Sequence, residues 1–177
     1  MVDRSGKFEG DNPFEICKRW IAESEAGELN DPNAIALSTV SEDGMPNVRM
    51  VLLKNIDHSA FVFFTNFGSQ KAIEIFDCGM ASFVWHSKFL RRQIRVRGVT
   101  SLESEQASDE YYKSRSLKSR LGAWASIQSK PLNSRKTLLD RVEKFTESLG
   151  DDPARPKFWG GFRIIPTAIE FWAEGEA

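Results

Sequence analysis

Several stretches of this sequence place cations beside polar or aromatic groups in ways suited to holding an anion. In Arg49-Met50-Val51-Leu52-Leu53-Lys54 an apolar strand carries a cation at each end. By itself this also describes a core strand with solvated ends. Strand parity adds a condition: Arg49 and Lys54 are an odd number of residues apart, so in a regular strand they face opposite sides. Both serve one site only if the strand bulges, ends, or lies at an interface. In Phe64-Thr65-Asn66-Phe67-Gly68-Ser69-Gln70-Lys71 a strand ends, Gly68 permits a tight turn and Ser69 opens a helix. The free N–H groups of a helix start, with Lys71 in the first turn, form a seat for phosphate. A lysine there opposes the helix dipole, and an anion would give it a reason; a capped helix with a solvated lysine is the plain alternative.

Two further segments are cation-rich. In Arg91-Arg92-Gln93-Ile94-Arg95-Val96-Arg97, Gln93 shares a strand face with Arg95 and Arg97 and could hydrogen-bond the edge of a heterocycle. For the arginines a solvated or subunit-contact face is the leading reading, ahead of RNA contact, because aromatic interleaving is poor here. Tyr111, Arg115 and Ser119 recur every four residues, which on one continuous helix puts a phenol, a guanidinium and a hydroxyl in a row able to grip a phosphate. Gln128-Ser129 and Trp159-Gly160-Gly161-Phe162-Arg163 complete the set. Equally informative is what is missing. There is no GxSxG, GxGxxG or Walker A loop, no cysteine with a plausible histidine partner, and with only His58, His86, Cys17 and Cys78 no metal cluster is expected. Polar and cationic groups on strands suit the binding of a phosphorylated aromatic whose own ring does the chemistry.

The elements that must position these groups follow from periodicity. Asn12-Pro13 opens a helix carrying Phe14, Cys17, Trp20 and Ile21, with Gly27 as its stop. Residues 34–40 and 47–53 read as a hairpin about Glu42-Asp43-Gly44, 60–65 as a third strand, 69–76 as a short helix, and 80–85 and 93–100 as further strands. Residues 105–113 and 119–126 read as helices, and Leu138, Leu139, Val142, Phe145 and Leu149 mark a longer one. Residues 162–165 and 168–172 are two short strands with Pro166-Thr167 between them. Helices are not interleaved regularly enough for a parallel sheet, so an antiparallel barrel with flanking helices is expected.

Bulk properties narrow the partners. The 177 residues are 41% hydrophobic and 28% charged, enough for a real core, and a net charge of -1 argues against a general nucleic-acid or anionic-membrane binder. No apolar run approaches the roughly 20 residues of a membrane span, and the polar start, Met1 to Asn12, has no signal-peptide core. Cys17 and Cys78, far apart, read as reduced core residues, and a cytoplasmic location is expected.

Taken in order, RMVLLK at 49–54, FTNFGSQK at 64–71, RRQIRVRG at 91–98, YYKSRSLKSRLGAWASIQS at 111–129, FWGGFR at 158–163 and IEFW at 169–172 resemble the pyridoxine/pyridoxamine 5'-phosphate oxidase family. The resemblance runs from Asp11 to Trp172. It implies a mainly β fold with flanking helices (α+β), a six-stranded antiparallel Greek-key split β-barrel, with residues 1–177 as a single FMN-binding domain. It implies a homodimer with FMN at the subunit interface, and a small phosphorylated pyridine as substrate. Arg49, Met50, Val51, Leu52, Lys54, Phe64, Thr65, Gln70, Lys71, Gln93, Gln128, Ser129 and Trp172 match the family's FMN contacts. Lys54, Tyr111, Arg115 and Ser119 match its contacts to the substrate phosphate. The implied reaction is oxidation of pyridoxamine or pyridoxine 5'-phosphate to pyridoxal 5'-phosphate by dioxygen, releasing hydrogen peroxide, with no catalytic side chain required.

Position 70 departs from the family pattern, being Gln where Arg commonly stands beside the phosphate, so weaker FMN retention is expected. The family pattern also continues into an Arg-Leu-His-Asp-Arg type segment beyond the point where this sequence stops, and a substrate-covering N-terminal segment is not present. FMN binding is therefore implied more firmly than turnover. Two alternatives follow: a related split-barrel flavin oxidase for another aromatic, of phenazine type, and a truncated, non-catalytic protein that binds FMN or pyridoxal phosphate.

Overall fold

The structure is a computed structural model and describes residues 6–175. Of the expectations above, the outermost ends of the 1–177 domain and the start of the polar N-terminal stretch lie outside those residues.

Helix α1 (Pro13–Ser24) begins where Asn12 accepts a hydrogen bond from the Phe14 N–H at 2.9 Å, with Pro13 in the first turn. It buries Ile16, Cys17 and Trp20. Strands β1 (Ala34–Val40) and β2 (Pro46–Ile56) form the expected hairpin, and β3 (Phe61–Asn66) follows. Helix α2 (Gln70–Cys78) ends at Gly79, whose left-handed φ of 70° lets its N–H close the last turn on the Ile75 carbonyl. Strands β4 (Met80–Ser87) and β5 (Arg92–Leu102) come next, then α3 (Glu105–Ser114), α4 (Leu117–Ala125), α5 (Arg135–Leu149) and β6 (Trp159–Ala173).

The six strands close into a barrel in the order β1-β2-β3-β6-β5-β4, with every neighbouring pair antiparallel. The chain leaves β3 through α2 and returns at β4, which pairs with β1 instead of β3; this jump is the Greek-key step. Burial alternates along β1 and β4, as a sheet with one face inward requires. The inward residues, among them Leu37, Phe63, Trp85, Ile94, Phe162 and Ile164, form one core that α1 and α2 join through Trp20 and Ile75.

One expectation is corrected. The two short strands near the C-terminus are a single strand, β6, running straight through Pro166. Its pairing with β5 slips by one residue between Arg97 and Gly98: Arg97 opposes Ala168, Gly98 opposes Pro166, and Thr167 is the extra residue. Proline lacks a ladder donor, and a bulge is where a strand tolerates one. Gly98 is required opposite it by close approach. A Cβ there would lie 2.0 Å from the Ile165 carbonyl oxygen.

Gly98→Ala should therefore force β5 and β6 apart and destabilise the fold by about 1–3 kcal/mol, the range for overpacking. Urea denaturation should show a lower midpoint with the slope unchanged; a midpoint equal to wild type would refute the close-approach argument.

Candidate functional site

The parity problem of β2 is solved by a bulge. Leu53 opposes Phe63 and Asn55 opposes Val62, so the pairing skips Lys54. The extra residue lets Arg49 and Lys54 face one cavity despite their odd separation. That cavity, of about 590 Å³, lies against the outer side of β2 and β3 and is walled by α2, α3 and α4. Arg49, Met50, Val51, Leu52 and Lys54 line it from β2, and Phe64 and Thr65 from β3. Lys71, Tyr111, Arg115, Ser119 and Gln128 complete the expected residues that it gathers. Among the described residues, four cations thus line the cavity and no carboxylate does.

Lys71 is only 8% exposed. Its amine donates to three neutral oxygens, Thr65 Oγ1 and Ser69 Oγ at 3.2 Å and Gln128 Oε1 at 3.3 Å. Burial, reinforced by the nearby Arg49 charge and opposed by Glu74, pushes its pKa down to about 8. Ser69 stands at the N-cap of α2, but its hydroxyl turns to this lysine instead of capping a helix N–H. The Arg49 guanidinium donates to the Leu37 carbonyl at 3.3 Å, to Thr39 Oγ1 at 2.5 Å and to Glu74 at 3.3 Å.

The second cluster comes from α3 and α4, separate helices as expected, so Tyr111, Arg115 and Ser119 do not share one helix face. The helix breaks: Arg115 is extended (φ −76°, ψ 150°) and Ser116 caps α4 by accepting from the Ser119 N–H. Ser116 competes for backbone donors as N-cap residues do, and that ends α3. Tyr111, Arg115 and Ser119 still converge, now around a corner instead of along a face. The Arg115 guanidinium lies 4.8 Å over the Trp159 ring, and its buried Nη1 has no hydrogen-bond partner among the described residues. Burial lowers its pKa, with Tyr111 and Tyr112 opposing. A buried guanidinium nitrogen aimed at nothing is a donor waiting for an acceptor. Phe64 stacks on Tyr111 at 4.2 Å and lies nearly parallel to Trp159 at 5.5 Å, giving a flat aromatic wall.

Four expected residues are placed elsewhere. Gln70 is exposed and its amide donates to Glu74 at 3.0 Å, away from the cavity lining. Ser129 follows Gln128 in a left-handed conformation (φ 64°) and does not line the cavity. Gln93 and Trp172 are cross-strand partners on β5 and β6, also outside the cavity. Trp159, in a segment singled out but with no contact assigned to it, also lines the cavity, and the residue reading misses Glu74, the buried acid on α2 that pairs with Arg49. The signal for Glu74 was available: a charge on α2 one turn after Gln70, next to the apolar Ile75.

The sequence profile of the family described as pyridoxamine 5'-phosphate oxidase matches residues 22–148. A protein of Roseobacter denitrificans named pyridoxine/pyridoxamine 5'-phosphate oxidase is 61% identical over 176 residues, covering 99% of this chain and 88% of that protein. One of the same name from Cereibacter sphaeroides is 62% identical over 174 residues, covering 98% and 87%. Among solved structures, PhzG from Burkholderia lata 383, in complex with tetrahydrophenazine-1-carboxylic acid, superposes with a TM-score of 0.87 at 28% identity, covering 98% of this chain and 85% of that one. A pyridoxamine 5'-phosphate oxidase-related, FMN binding protein from Nostoc punctiforme shares the fold, with a TM-score of 0.72 at 20% identity and coverage of 94% and 85%.

The depressed pKa of Lys71 carries a sign. Below about 8 the ammonium is charged and attracts an oxyanion; above it the charge is lost. Affinity for sulfate, whose own charge is constant in this range, should fall as pH rises through about 8, by at most about tenfold per unit for one coupled proton. Calorimetric titration should show this step, and Lys71→Met should remove it. A pH-independent affinity in the wild type would exclude Lys71 as the anion's partner.

Proposed function

Because this chain belongs to the pyridoxine/pyridoxamine 5'-phosphate oxidase family, we propose that it is an FMN-dependent oxidase producing pyridoxal 5'-phosphate. Its substrates are pyridoxine 5'-phosphate and pyridoxamine 5'-phosphate; dioxygen is the acceptor and hydrogen peroxide a product, with water consumed and ammonia released from the amine. The observation that carries this reading is the cavity lining among the described residues: four cations in two groups on different elements, flat aromatic rings, and no carboxylate. Two phosphorylated aromatic molecules fit such a lining better than one.

The residues suit FMN on structural grounds. Lys71 is a buried cation whose described hydrogen-bond partners are neutral oxygens, and the Arg49 charge, also on the cavity lining, is near enough to lower its pKa. These two would hold the FMN phosphate, with Met50, Val51, Leu52, Phe64, Thr65 and Gln128 along the rest of the molecule. Arg115, with its orphaned Nη1, would take the substrate phosphate together with Tyr111, Ser119 and Lys54. When bound, FMN supplies the redox chemistry, carrying two electrons from the substrate C4' carbon to dioxygen. The protein's part is to bind, orient and exclude water. No side chain need titrate in the step, because ring-on-ring positioning supplies most of what catalysis requires here.

Gln93 and Trp172 belong to a second copy of the site in this reading. They flank one another on an outer face where Val48 is 70% exposed, Met50 64% and Trp172 50%. Such apolar exposure supports a homodimer whose partner completes each FMN site. The chain then acts as one FMN-binding domain. A cytoplasmic location suits its two unpaired cysteines.

The experiment is direct. FMN-loaded protein given pyridoxine 5'-phosphate in air should yield peroxide and aldehyde in equal amounts. Bound flavin with neither product would leave a non-catalytic FMN-binding protein. A phenazine-type substrate is the competing enzymatic reading, favoured by the likeness to PhzG. It is disfavoured by the second cation group, and bleaching of the flavin by pyridoxine 5'-phosphate in a single anaerobic turnover would exclude it. Arg115→Ala should raise KM for phosphorylated substrate by roughly 10- to 150-fold, or about 1.5–3 kcal/mol for a lost charge-assisted hydrogen bond. FMN should stay bound; its loss would overturn the division of the cavity into two phosphate sites.

A further inference from the structure

Glu74 is 1% exposed, yet it is a carboxylate on a helix face shared with the buried Ala72 and Ile75. Burying a carboxylate costs several kcal/mol unless its oxygens are fully engaged, so an apolar residue would serve the packing better. Its oxygens are fully engaged. Asn47 donates to one at 2.5 Å and Gln70 donates to the same one at 3.0 Å. The Thr39 hydroxyl and Arg49 donate to the other, Arg49 at 3.3 Å. Thr39 is itself buried and accepts from Arg49 Nη1 at 2.5 Å, so the guanidinium reaches Glu74 both directly and through this hydroxyl. Burial pushes the Glu74 carboxyl up, but the hydrogen bonds from Thr39, Gln70 and Asn47, with the Arg49 charge, outweigh it and hold it below the usual carboxylate value. It is an anion that does not line the cavity, yet it grips a cation that does.

We propose that Glu74 is a positioning residue that fixes the Arg49 guanidinium for the flavin phosphate, so that discrimination of FMN from riboflavin depends on a buried carboxylate outside the cavity. This rests on the assignment of Arg49 to the FMN phosphate. Every group on Glu74 donates to it, and Arg49 can do nothing else. A glutamine of identical shape can keep its oxygen toward Thr39 and Arg49 only if Asn47 and Gln70 turn their amide oxygens to accept from its NH2; with the amide reversed, NH2 faces the Arg49 donors. In either orientation the charge that orients Arg49 is gone. There is an opposing effect: the negative charge of Glu74 also offsets part of the positive field of Arg49 and Lys71. If that attenuation dominated, removing it would tighten FMN instead. The fixed geometry of a two-point-anchored guanidinium argues that orientation dominates.

Full-length protein stripped of flavin should be titrated with FMN and with riboflavin, following quenching of flavin fluorescence. The quantity read is the ratio of the two dissociation constants. Glu74→Gln should lower the preference for FMN about tenfold, the scale of a lost charge-assisted hydrogen bond, with riboflavin affinity unchanged. Thr39→Val, which removes the bridging hydroxyl without changing shape, should lower it about threefold and keeps the test open if the first variant does not fold. In an Arg49→Ala background, Glu74→Gln should cause no further loss. An unchanged or increased FMN preference in both variants would overturn the proposal, and so would equal weakening of both flavins, which marks a packing role. Wild-type protein that binds neither flavin would instead overturn the FMN assignment beneath it.

Discussion

A buried ammonium that no carboxylate among the described residues pairs with is the constraint around which this site is built. Lys71 emerges in the first turn of α2, where the helix dipole repels it, with Arg49 adding a second positive charge. Burial, the dipole and Arg49 all oppose a charge there, and the Glu74 carboxylate only partly offsets them. The chain answers with neutral oxygens, Thr65, Ser69 and Gln128, and with one acid, Glu74, set behind Arg49 and outside the cavity. None of these removes the field at the cavity itself. An oxyanion does, and that makes the anion's binding energy large exactly where the unliganded fold is least comfortable. Stability and affinity are here two readings of the same charge.

The barrel delivers those charges through irregularities. A regular β2 would send Arg49 and Lys54 to opposite faces; the bulge at Lys54 places both on the cavity. A regular β6 could not contain Pro166; the extra residue Thr167 accommodates it, and Gly98 accepts the close approach that results. Bulges increase local twist, so the devices that aim the side chains also help a six-stranded sheet close on itself. Positioning and closure therefore cannot be varied independently in this fold.

Much of this was legible in the sequence. Apolar runs and turn signals placed β1 to β5 to within three residues at each end, because one inward face must be apolar throughout. The β2 parity conflict even announced that an irregularity was needed, though not where. What failed did so for identifiable reasons. Pro166 reads as a strand terminator, since its compatibility depends on a bulge created by pairing with β5, which is information held in another segment. The spacing of Tyr111, Arg115 and Ser119 suggests one helix face, although 105–113 and 119–126 read as separate helices; Ser116 decides between them by capping α4. Glu74 went unremarked because the value of a buried acid lies in its partners, and Thr39, Asn47 and Arg49 are strands away. Gln70 was expected at the phosphate and instead turns to that acid.

The two cation groups differ in how they are held, and the difference fits unequal roles. Arg49 is tied to a strand carbonyl, a buried hydroxyl and a buried carboxylate, all on the barrel and α2. Its charge is anchored by charge. Arg115 occupies the corner between two short helices, supported by the faces of Trp159 and Tyr112, with one nitrogen left bare. Aromatic faces stabilise a cation by their quadrupoles without consuming its donors, and they hold its plane while leaving its edge free. A group held by opposite charge keeps a fixed geometry whether or not a ligand is present. One held by stacked rings keeps its orientation yet offers all its hydrogen bonds to each arriving molecule. The first construction suits a molecule that remains, and the second one that is exchanged at every turnover.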